Sequence, residues 1–423
     1  MTAHSPTSRY YLSTSIALFL LGACHLVVAS GYSIGAVLLL LIGVYSLRYW
    51  SKLKPLLSAQ DLWILATLAV FGLSGLFDAL YHQGSGSNYD KASRFLLAIP
   101  AYFALRTYTP RLEWLWSGLA IGAIATCILA AWQVWVLGYH RAEGHTHPIQ
   151  FGNLSMLSAF FCLAGLGWAA QLSQKAQRQR WFILLIMGAL CGLFGSLLSG
   201  SRGGWIGVPF VLLALAKAYH SFFSLRLKVT ACAIAILAAI SLYYTPAFNI
   251  QPRVHAALHD IEQYQQGNSA TSLGARFEMW QAALLLAKER PLLGWGKDQM
   301  QASMQALADQ GLVDPIIGEF NHAHNEILDT LAKRGLIGLL ALAALYLIPL
   351  RLFSRYISHP NLSTRSLATA GLILPIAYID FGLSQTFLAH NSGIMLYAFW
   401  VLVFWSRMRN TLSAHTVPVA NAP

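Results

Sequence analysis

Two histidines, His322 and His324, stand immediately ahead of an apolar run in the segment HAHNEILDTLAKRGLIGLL, residues 322–340. Charged residues recur through this segment at helical spacing, which predicts a helix that begins near Asn325, a natural N-cap residue. His324 then lies at the positive end of the helix dipole, where a neutral imidazole that accepts a proton is preferred. The pattern therefore indicates acid–base chemistry at His324, with a structural role as the alternative.

A glycine-rich segment, LLSGSRGGW at residues 197–205, joins two apolar runs through a very short turn. Its glycines, Gly203 among them, allow backbone N–H groups to point toward one place, and Arg202 adds a fixed positive charge. This combination predicts an anion site. The alternative is that Arg202 only extends its charged end to the membrane surface.

The segment RAEGHTHPIQFGN, residues 141–153, places Arg141, His145 and His147 ahead of another apolar run. The spacing of the two histidines is compatible with a metal site. Neutral histidines in an exposed loop are more often simply polar, however, and we predict no metal site here.

Arg276 lies in ARFEMWQAALLLAKER, residues 275–290, which has the pattern of an amphipathic helix. Phe277, Trp280 and Leu284 form the predicted apolar stripe of this helix, and Arg276 lies off the stripe. Arg276 is therefore either a solvated side chain or a further source of positive charge for an anion.

The composition of the chain predicts the helices that position these residues. The chain has 423 residues, of which 56% are apolar and 10% charged, and this composition is typical of a polytopic membrane protein. A spanning helix needs roughly 20 mostly apolar residues, and about twelve runs fit. We predict an all-α fold with transmembrane helices near residues 10–30, 32–49, 61–81, 93–108, 113–137, 150–171, 181–200, 203–220, 226–246, 326–350, 364–388 and 390–406.

Orientation follows from the basic residues, because short cytoplasmic loops retain Lys and Arg. Most of the 28 Lys and Arg residues fall on the side of the N-terminus, so both termini are predicted to be cytoplasmic. The net charge of +12 is explained by these loops, which contact anionic membrane lipid. The charge therefore gives no reason to expect nucleic-acid binding.

One long segment, residues 247–325, breaks the pattern of short connections and falls on the outer side. Amphipathic helices are predicted there at residues 253–266 and 275–290, so the segment forms a helical cap between the ninth and tenth spans. The predicted organisation is residues 1–246 for the first nine spans, 247–325 for the cap, 326–410 for the last three spans, and 411–423 for a flexible cytoplasmic tail.

The spacing of His324, Asn325, Gly335 and Gly338 resembles the signature of bacterial O-antigen ligases. The wider set of motifs, SGSRGGW, the Arg141 to Asn153 segment and ARFEMWQAALLLAKERPLLGWG, also resembles O-antigen polymerases and O-linked oligosaccharyltransferases. The resemblance spans roughly residues 140 to 340 and includes the large external loop.

The resemblance implies a glycosyltransferase of the GT-C type in the bacterial inner membrane, with its active site facing the periplasm. Such an enzyme transfers polysaccharide from undecaprenyl pyrophosphate to a sugar hydroxyl of lipid A-core by direct displacement with inversion. His324 is then the general base, and Arg202 and Arg276 stabilise the departing diphosphate. The residues expected to bind substrate are Arg141, His147, Gly203, His322 and Asn325.

No metal or other cofactor is expected. The chain has no paired-acid segment that would hold a divalent ion, because Asp260 and Glu262 would diverge on a helix. All five cysteines fall within apolar spans, which favours neither a metal site nor a disulfide framework. Arginines would then supply the positive charge.

Two other classes of function are compatible with the sequence. A polymerase or an O-linked oligosaccharyltransferase would use the same donor with a different acceptor. A transporter of lipid-linked saccharide would bind the anion without bond chemistry, but it should carry charges along a path through the bilayer. The clear acid within a predicted span is Asp380, so transport is the less favoured alternative.

Overall fold

The computed structural model of the chain describes residues 6–49, 57–220 and 250–416, together with scattered positions between 226 and 245. Within these residues the regular structure consists of fourteen α-helices and short 3₁₀ turns, and no strand occurs. Seven of the helices are long and apolar enough to cross a membrane. The predictions of an all-α fold and of a multi-pass membrane protein are confirmed.

The described helices fall into three groups along the chain. The first group comprises α1 (Pro6–Ala23), α2 (Gly31–Ser46), α3 (Ala59–Tyr81), α4 (Gly86–Thr107), α5 (Leu112–Trp135), α6 (Pro148–Ala170), α7 (Lys175–Leu198) and α8 (Val208–Tyr219). The second comprises α9 (Ile250–Gln265), α10 (Ser272–Glu289) and α11 (Met300–Asp309). The third comprises α12 (Glu326–Ser354), α13 (Leu362–Gly382) and α14 (Asn391–Thr416).

A helix lies at each predicted span except residues 226–246, which fall largely outside the described residues. The predicted span 364–388 ends early, because α13 stops at Gly382 and a 3₁₀ turn, Phe387–Ala389, follows it. This shortening matters for the site, since it leaves the polar residues 384–386 outside the helix.

The buried apolar residues form two clusters. The larger lies within the helical bundle, where α6 and α13 are the most deeply buried of the seven apolar helices. The smaller joins α10, α11 and the 3₁₀ turn Pro315–Glu319, and it reaches Ala332 on α12. We call α9 to α11 and the turn after them the cap. The cap therefore has an apolar core of its own, and this core touches the bundle through α12.

The cap helices differ from prediction in two respects. Helices α9 and α10 occur where the sequence predicts them, whereas α11 was not predicted. The predicted apolar stripe of α10 is wrong, because Leu284 is 46% exposed and the buried face carries Met279, Ala282 and Leu286. Small alanines allow this face to pack closely, so the large side chains of the sequence did not mark the buried side.

Helix α12 is broken at Gly335, whose φ of 59° lies in the left-handed region. The loop that follows α10 enters this break. The N–H of Leu336 donates to the Pro291 carbonyl at 2.8 Å, and the N–H of Trp295 donates to the Ala332 carbonyl at 3.0 Å. Gly335 has no room for a β-carbon, which would collide with the carbonyl group of Leu292. The break thus fastens the cap to the bundle.

Candidate active site

The two histidines lie in a short loop that ends at the first turn of α12. Asn325 is the N-cap, as predicted, and its side-chain oxygen accepts the N–H groups of Ile327 at 3.0 Å and Leu328 at 3.1 Å. His324 has a φ of 48°, a left-handed conformation that is uncommon for residues other than glycine. The loop must therefore be held in place by its neighbours.

Ala323, between the histidines, is fixed from two directions. Its N–H donates to Asp329 Oδ1 at 2.9 Å, and its carbonyl oxygen accepts the Trp280 indole N–H at 3.0 Å. Asp329 belongs to α12 and forms an ion pair with Lys333 at 2.8 Å, whereas Trp280 belongs to α10 in the cap. The backbone before His324 is thus held by the bundle and the cap together.

The imidazole rings of His322 and His324 are close together, with centroids 4.1 Å apart and planes inclined at 46°. His322 Nδ1 lies 3.0 Å from the side-chain oxygen of Asn321. His324 Nδ1 is buried and forms no hydrogen bond with any described residue. Gln385, a buried residue just beyond α13, faces both rings.

Burial is the main cause that lowers the pKa of His324 to about 4, and the neighbouring His322 and Arg276 contribute to this shift. The pKa of His322 is also lowered, again chiefly by burial. The imidazole of His324 is therefore neutral at physiological pH, as the sequence predicted. Desolvation is the main cause of this shift, and the positive charge of Arg276 adds to it.

A cavity of about 350 Å³ brings together the three arginines that the sequence singled out, and we call it the arginine cavity. Arg141, Arg202 and Arg276 line it from three separate segments of the chain. Arg141 is oriented by its Nε, which donates to the carbonyl oxygen of Ser199 at 2.7 Å. Burial lowers the pKa of the Arg276 guanidinium. Asp260 of α9 contributes one acid to the wall.

The glycines beside Arg202 have a packing role that the sequence did not predict. Gly200 adopts a φ of 62°, which turns the chain after α7. A β-carbon at Gly203 would collide with the hydroxyl of Ser384, and one at Gly204 would lie 2.6 Å from the side-chain oxygen of Asn153. These glycines let the end of α13 and the start of α6 approach the loop that carries Arg202.

A second cavity, of about 500 Å³, is lined by His322 and His324, and we call it the histidine cavity. His147, Lys297 and His390 also line it. Ile149 lines both cavities, and the consecutive residues Ser384 and Gln385 line one cavity each. The two cavities therefore adjoin each other at these residues.

The remaining predicted residues have identifiable local roles. His147 is the N-cap of α6, because its Nδ1 accepts the N–H of Ile149 at 3.3 Å. Burial and the charge of Arg141 lower the pKa of His147. Asn325 uses its side-chain oxygen for capping. His145 is exposed and lines neither cavity.

Among the described residues, no group of three or more His, Cys, Asp or Glu side chains is placed to hold a metal ion.

Several residues of the site were not found from the sequence. Gln385 and Thr386 belong to a polar run, SQT, at the end of an apolar span, and that position was the available signal. The sequence marks Asp329 only as part of a helical charge pattern and Trp280 only as part of an apolar stripe. It gives no signal for Lys297.

Comparison with known proteins gives one matching family and two relatives. The family described as O-antigen ligase matches residues 187–343. A Haemophilus influenzae protein described only as uncharacterized is 30% identical over 382 residues, which cover 90% of this chain and 94% of that protein. An O-antigen ligase of Escherichia coli K12 is 25% identical over 287 residues, which cover 67% of this chain and 65% of the ligase. The chain belongs to the O-antigen ligase superfamily.

Membership in the O-antigen ligase superfamily indicates an enzyme of glycosyltransferase type, with ligase or polymerase activity on lipid-linked polysaccharide and a lipid acceptor. The matched segment contains Arg202, Arg276, His322 and His324. Arg141 and His147 precede it.

Proposed function

We propose that this member of the O-antigen ligase superfamily is a ligase that transfers polysaccharide from undecaprenyl pyrophosphate to a sugar hydroxyl of lipid A-core. The observation that carries this proposal is that the arginine cavity and the histidine cavity adjoin each other, with Ile149 lining both. The leaving group and the proton acceptor can then lie side by side, which a transfer reaction requires.

The arginine cavity suits the diphosphate of the donor. Each arginine–phosphate contact at about 4 Å is worth on the order of 4 kcal/mol at an effective dielectric constant near 20. Arg202 and Arg276 stabilise the charge that develops as the bond between the sugar and the phosphate breaks. Arg141 and the close packing at Gly203 support this anion site, and arginines thus take the place of a metal ion.

The histidine cavity suits the acceptor. A sugar hydroxyl attacks the anomeric carbon, the bond from that carbon to the phosphate oxygen breaks, and the diphosphate leaves with the electron pair. His324 takes the hydroxyl proton, a role that typically contributes about 10²–10⁴-fold. Because one displacement occurs, the anomeric centre is inverted. His147 and His322 line the same cavity and contact the acceptor.

Donor binding is expected to make His324 a stronger base. A pKa of about 4 makes His324 a weak base in the free protein, partly because of the nearby charge of Arg276. An anionic diphosphate offsets that charge and raises the pKa of His324 toward the pH at which the enzyme works. The base thus becomes effective when the donor is in place.

The sidedness of the site is part of the proposal. We propose twelve transmembrane helices in the inner membrane, cytoplasmic termini and a periplasmic cap that follows the ninth span. Reporter fusions after residues 54, 110, 225 and 360 should give a cytoplasmic signal, and fusions after residues 85, 146 and 270 a periplasmic one. A cytoplasmic signal at residue 270 would place the cap on the wrong side and overturn the mechanism.

The acceptor distinguishes the ligase from a polymerase or an O-linked oligosaccharyltransferase. Purified protein should be given lipid-linked donor with lipid A-core, with a second lipid-linked repeat, or with an acceptor protein. The ligase proposal predicts product with lipid A-core. Product only with lipid-linked repeats would make the protein a polymerase, and product only with the acceptor protein would make it an oligosaccharyltransferase.

A further inference from the structure

Two lysines that the reaction above does not use lie beside the histidine cavity. Lys91 on α4 and Lys297 in the cap line a smaller pocket of about 130 Å³ between α3, α4, α12 and α14. This pocket meets the histidine cavity at Lys297, Lys333 and Ala389, which line both. We call Lys91 and Lys297 the lysine pair.

Most of the acids around the lysine pair already bind other groups. Asp298 accepts the Ser85 N–H at 2.7 Å and the Asn88 side-chain N–H at 3.0 Å. Three other nearby acids bind other groups: Asp90 pairs with Arg94, Glu326 accepts the Leu388 N–H, and Asp329 pairs with Lys333. Asp78 lies 3.7 Å from His82, and its buried Oδ1 forms no hydrogen bond with any described residue. Within the described part of the chain, neither lysine of the pair forms an ion pair.

The lysine pair is electrostatically unfavourable as it stands. The two ammonium groups repel each other. Lys91 also interacts electrostatically with His390, and His390 interacts in the same way with His147 and His322. Lys297 does donate to the Asn88 side-chain oxygen at 2.9 Å, a contact that engages one of its three N–H donors. Positive charges gathered at a cavity where most of the acids already bind other groups are typical of a site for an anion.

We infer that Lys91 and Lys297 form a second anion subsite, which binds a phosphate or carboxylate substituent of the acceptor saccharide. This inference rests on the proposed ligase function. The subsite belongs to the acceptor because Lys297 lines the histidine cavity, whereas neither lysine lines the arginine cavity that the donor diphosphate occupies. An anion held there fixes the acceptor while its hydroxyl faces His324.

The test compares Lys91→Gln, Lys297→Gln and the double variant with the wild-type enzyme, by measuring KM for lipid A-core and for the lipid-linked donor separately. Glutamine removes the charge at either position, and at residue 297 it keeps a side-chain N–H for Asn88. Each single variant should raise the acceptor KM about tenfold with no change in donor KM, since a charge-assisted hydrogen bond is lost. Arginine at either position should restore most of the affinity.

Lys288→Gln is the matched control, because Lys288 is an exposed lysine at the end of α10 that lines none of these cavities. Phosphatase-treated lipid A-core identifies the anion. If the effect of the lysine variants disappears with the treated acceptor, the subsite binds phosphate. If the effect persists, the subsite binds a carboxylate.

Two outcomes would overturn the inference while leaving the ligase intact: an acceptor KM unchanged in the double variant, or an increase confined to the donor KM. Failure of the ligase proposal looks different. Wild-type enzyme would then transfer nothing to lipid A-core, treated or untreated, and the inference would fall with it.

Discussion

The indole N–H of Trp280 donates a hydrogen bond of 3.0 Å to the carbonyl oxygen of Ala323, the residue immediately before His324. Trp280 lies one turn after Arg276 on α10, and residues four apart share one side of a helix. A single cap helix therefore carries an arginine of the proposed donor site and a bond to the residue beside the proposed base. Displacement of α10 would move both groups together.

The first prediction concerns this bond. Trp280→Phe removes the N–H and keeps an aromatic ring, so the loop at His324 should lose its fixed position. We expect kcat to fall about 10- to 100-fold, because small displacements of a catalytic group are costly, while donor KM changes little. Steady-state kinetics with each substrate varied in turn provides the measurement.

Trp295→Phe is the control for that variant. The Trp295 indole N–H donates to the Leu286 carbonyl oxygen at 3.0 Å, a similar bond that does not touch the histidine loop. It should cost similar stability with little loss of kcat. Equal losses of kcat in the two variants would mean that Trp280 contributes only to the stability of the cap.

The second prediction concerns the break in α12. Gly335→Ala forces a β-carbon into the left-handed region and against the carbonyl group of Leu292. Strain alone costs about 1–3 kcal/mol, and the collision adds to it. Thermal unfolding in detergent should give a clearly lower Tm.

Gly311→Ala is the control that isolates the backbone strain, because Gly311 has a φ of 69° and open space around it. A Tm loss no larger at residue 335 than at residue 311 would show that the loop does not fasten the cap there.

The third prediction concerns the arginine cavity. Arg202→Ala and Arg276→Ala should each lower kcat/KM for the donor about a hundredfold or more, because each removes a contact with the diphosphate. Lysine at either position should restore only part of the activity, since an ammonium group cannot make two parallel contacts with phosphate. Activity should also survive chelation of divalent ions.

Arg290→Ala provides the comparison for the arginine variants. Arg290 ends α10 and stacks on the ring of Trp295 at 3.9 Å, away from the arginine cavity. Its loss should leave donor kinetics nearly unchanged. A strict requirement for Mg²⁺, or full activity of both cavity variants, would remove the argument that arginines stabilise the leaving group.

The fourth prediction is the pH dependence. A general base must be unprotonated, so the rate falls as the pH drops through the pKa of His324. That pKa is about 4 in the free protein, well below the ordinary value of 6.5. We therefore expect kcat/KM to stay level between about pH 5 and 7 and to fall near pH 4. The acid limb of kcat should lie at higher pH, because the bound diphosphate raises the pKa. If kcat/KM instead fell near pH 6.5, the ordinary pKa of histidine, His324 would not be buried as described.

The sequence predicted the elements better than the contacts between them. Apolar runs of spanning length mark helices because the bilayer core demands them, and the N-cap at Asn325 follows from local chemistry. The break at Gly335 was not predicted. It depends on residues 291–296 entering the helix, which is a long-range event that no local pattern encodes.

The same distinction holds at the site. The arginines and histidines were recognised one by one from residue type and spacing, but their arrangement in two adjoining cavities comes from the packing of α6, α10, α12 and the end of α13. Gln385 was missed because it becomes part of the site only where α13 ends short of the predicted span. The sequence does not distinguish lysines beside a cavity from other surface lysines, because only the structure shows that most of the nearby acids bind other groups.

The most direct test of the whole account is the single-turnover rate of polysaccharide transfer to lipid A-core by His324→Ala, measured beside His322→Ala with donor binding determined separately. We predict that His324→Ala loses about two to four orders of magnitude in rate while donor affinity stays near that of the wild-type enzyme, because phosphate binding belongs to the arginines. His322→Ala should lose much less. Near-normal transfer by His324→Ala, or an inactive His322→Ala beside an active His324→Ala, would contradict the assignment of His324 as the general base.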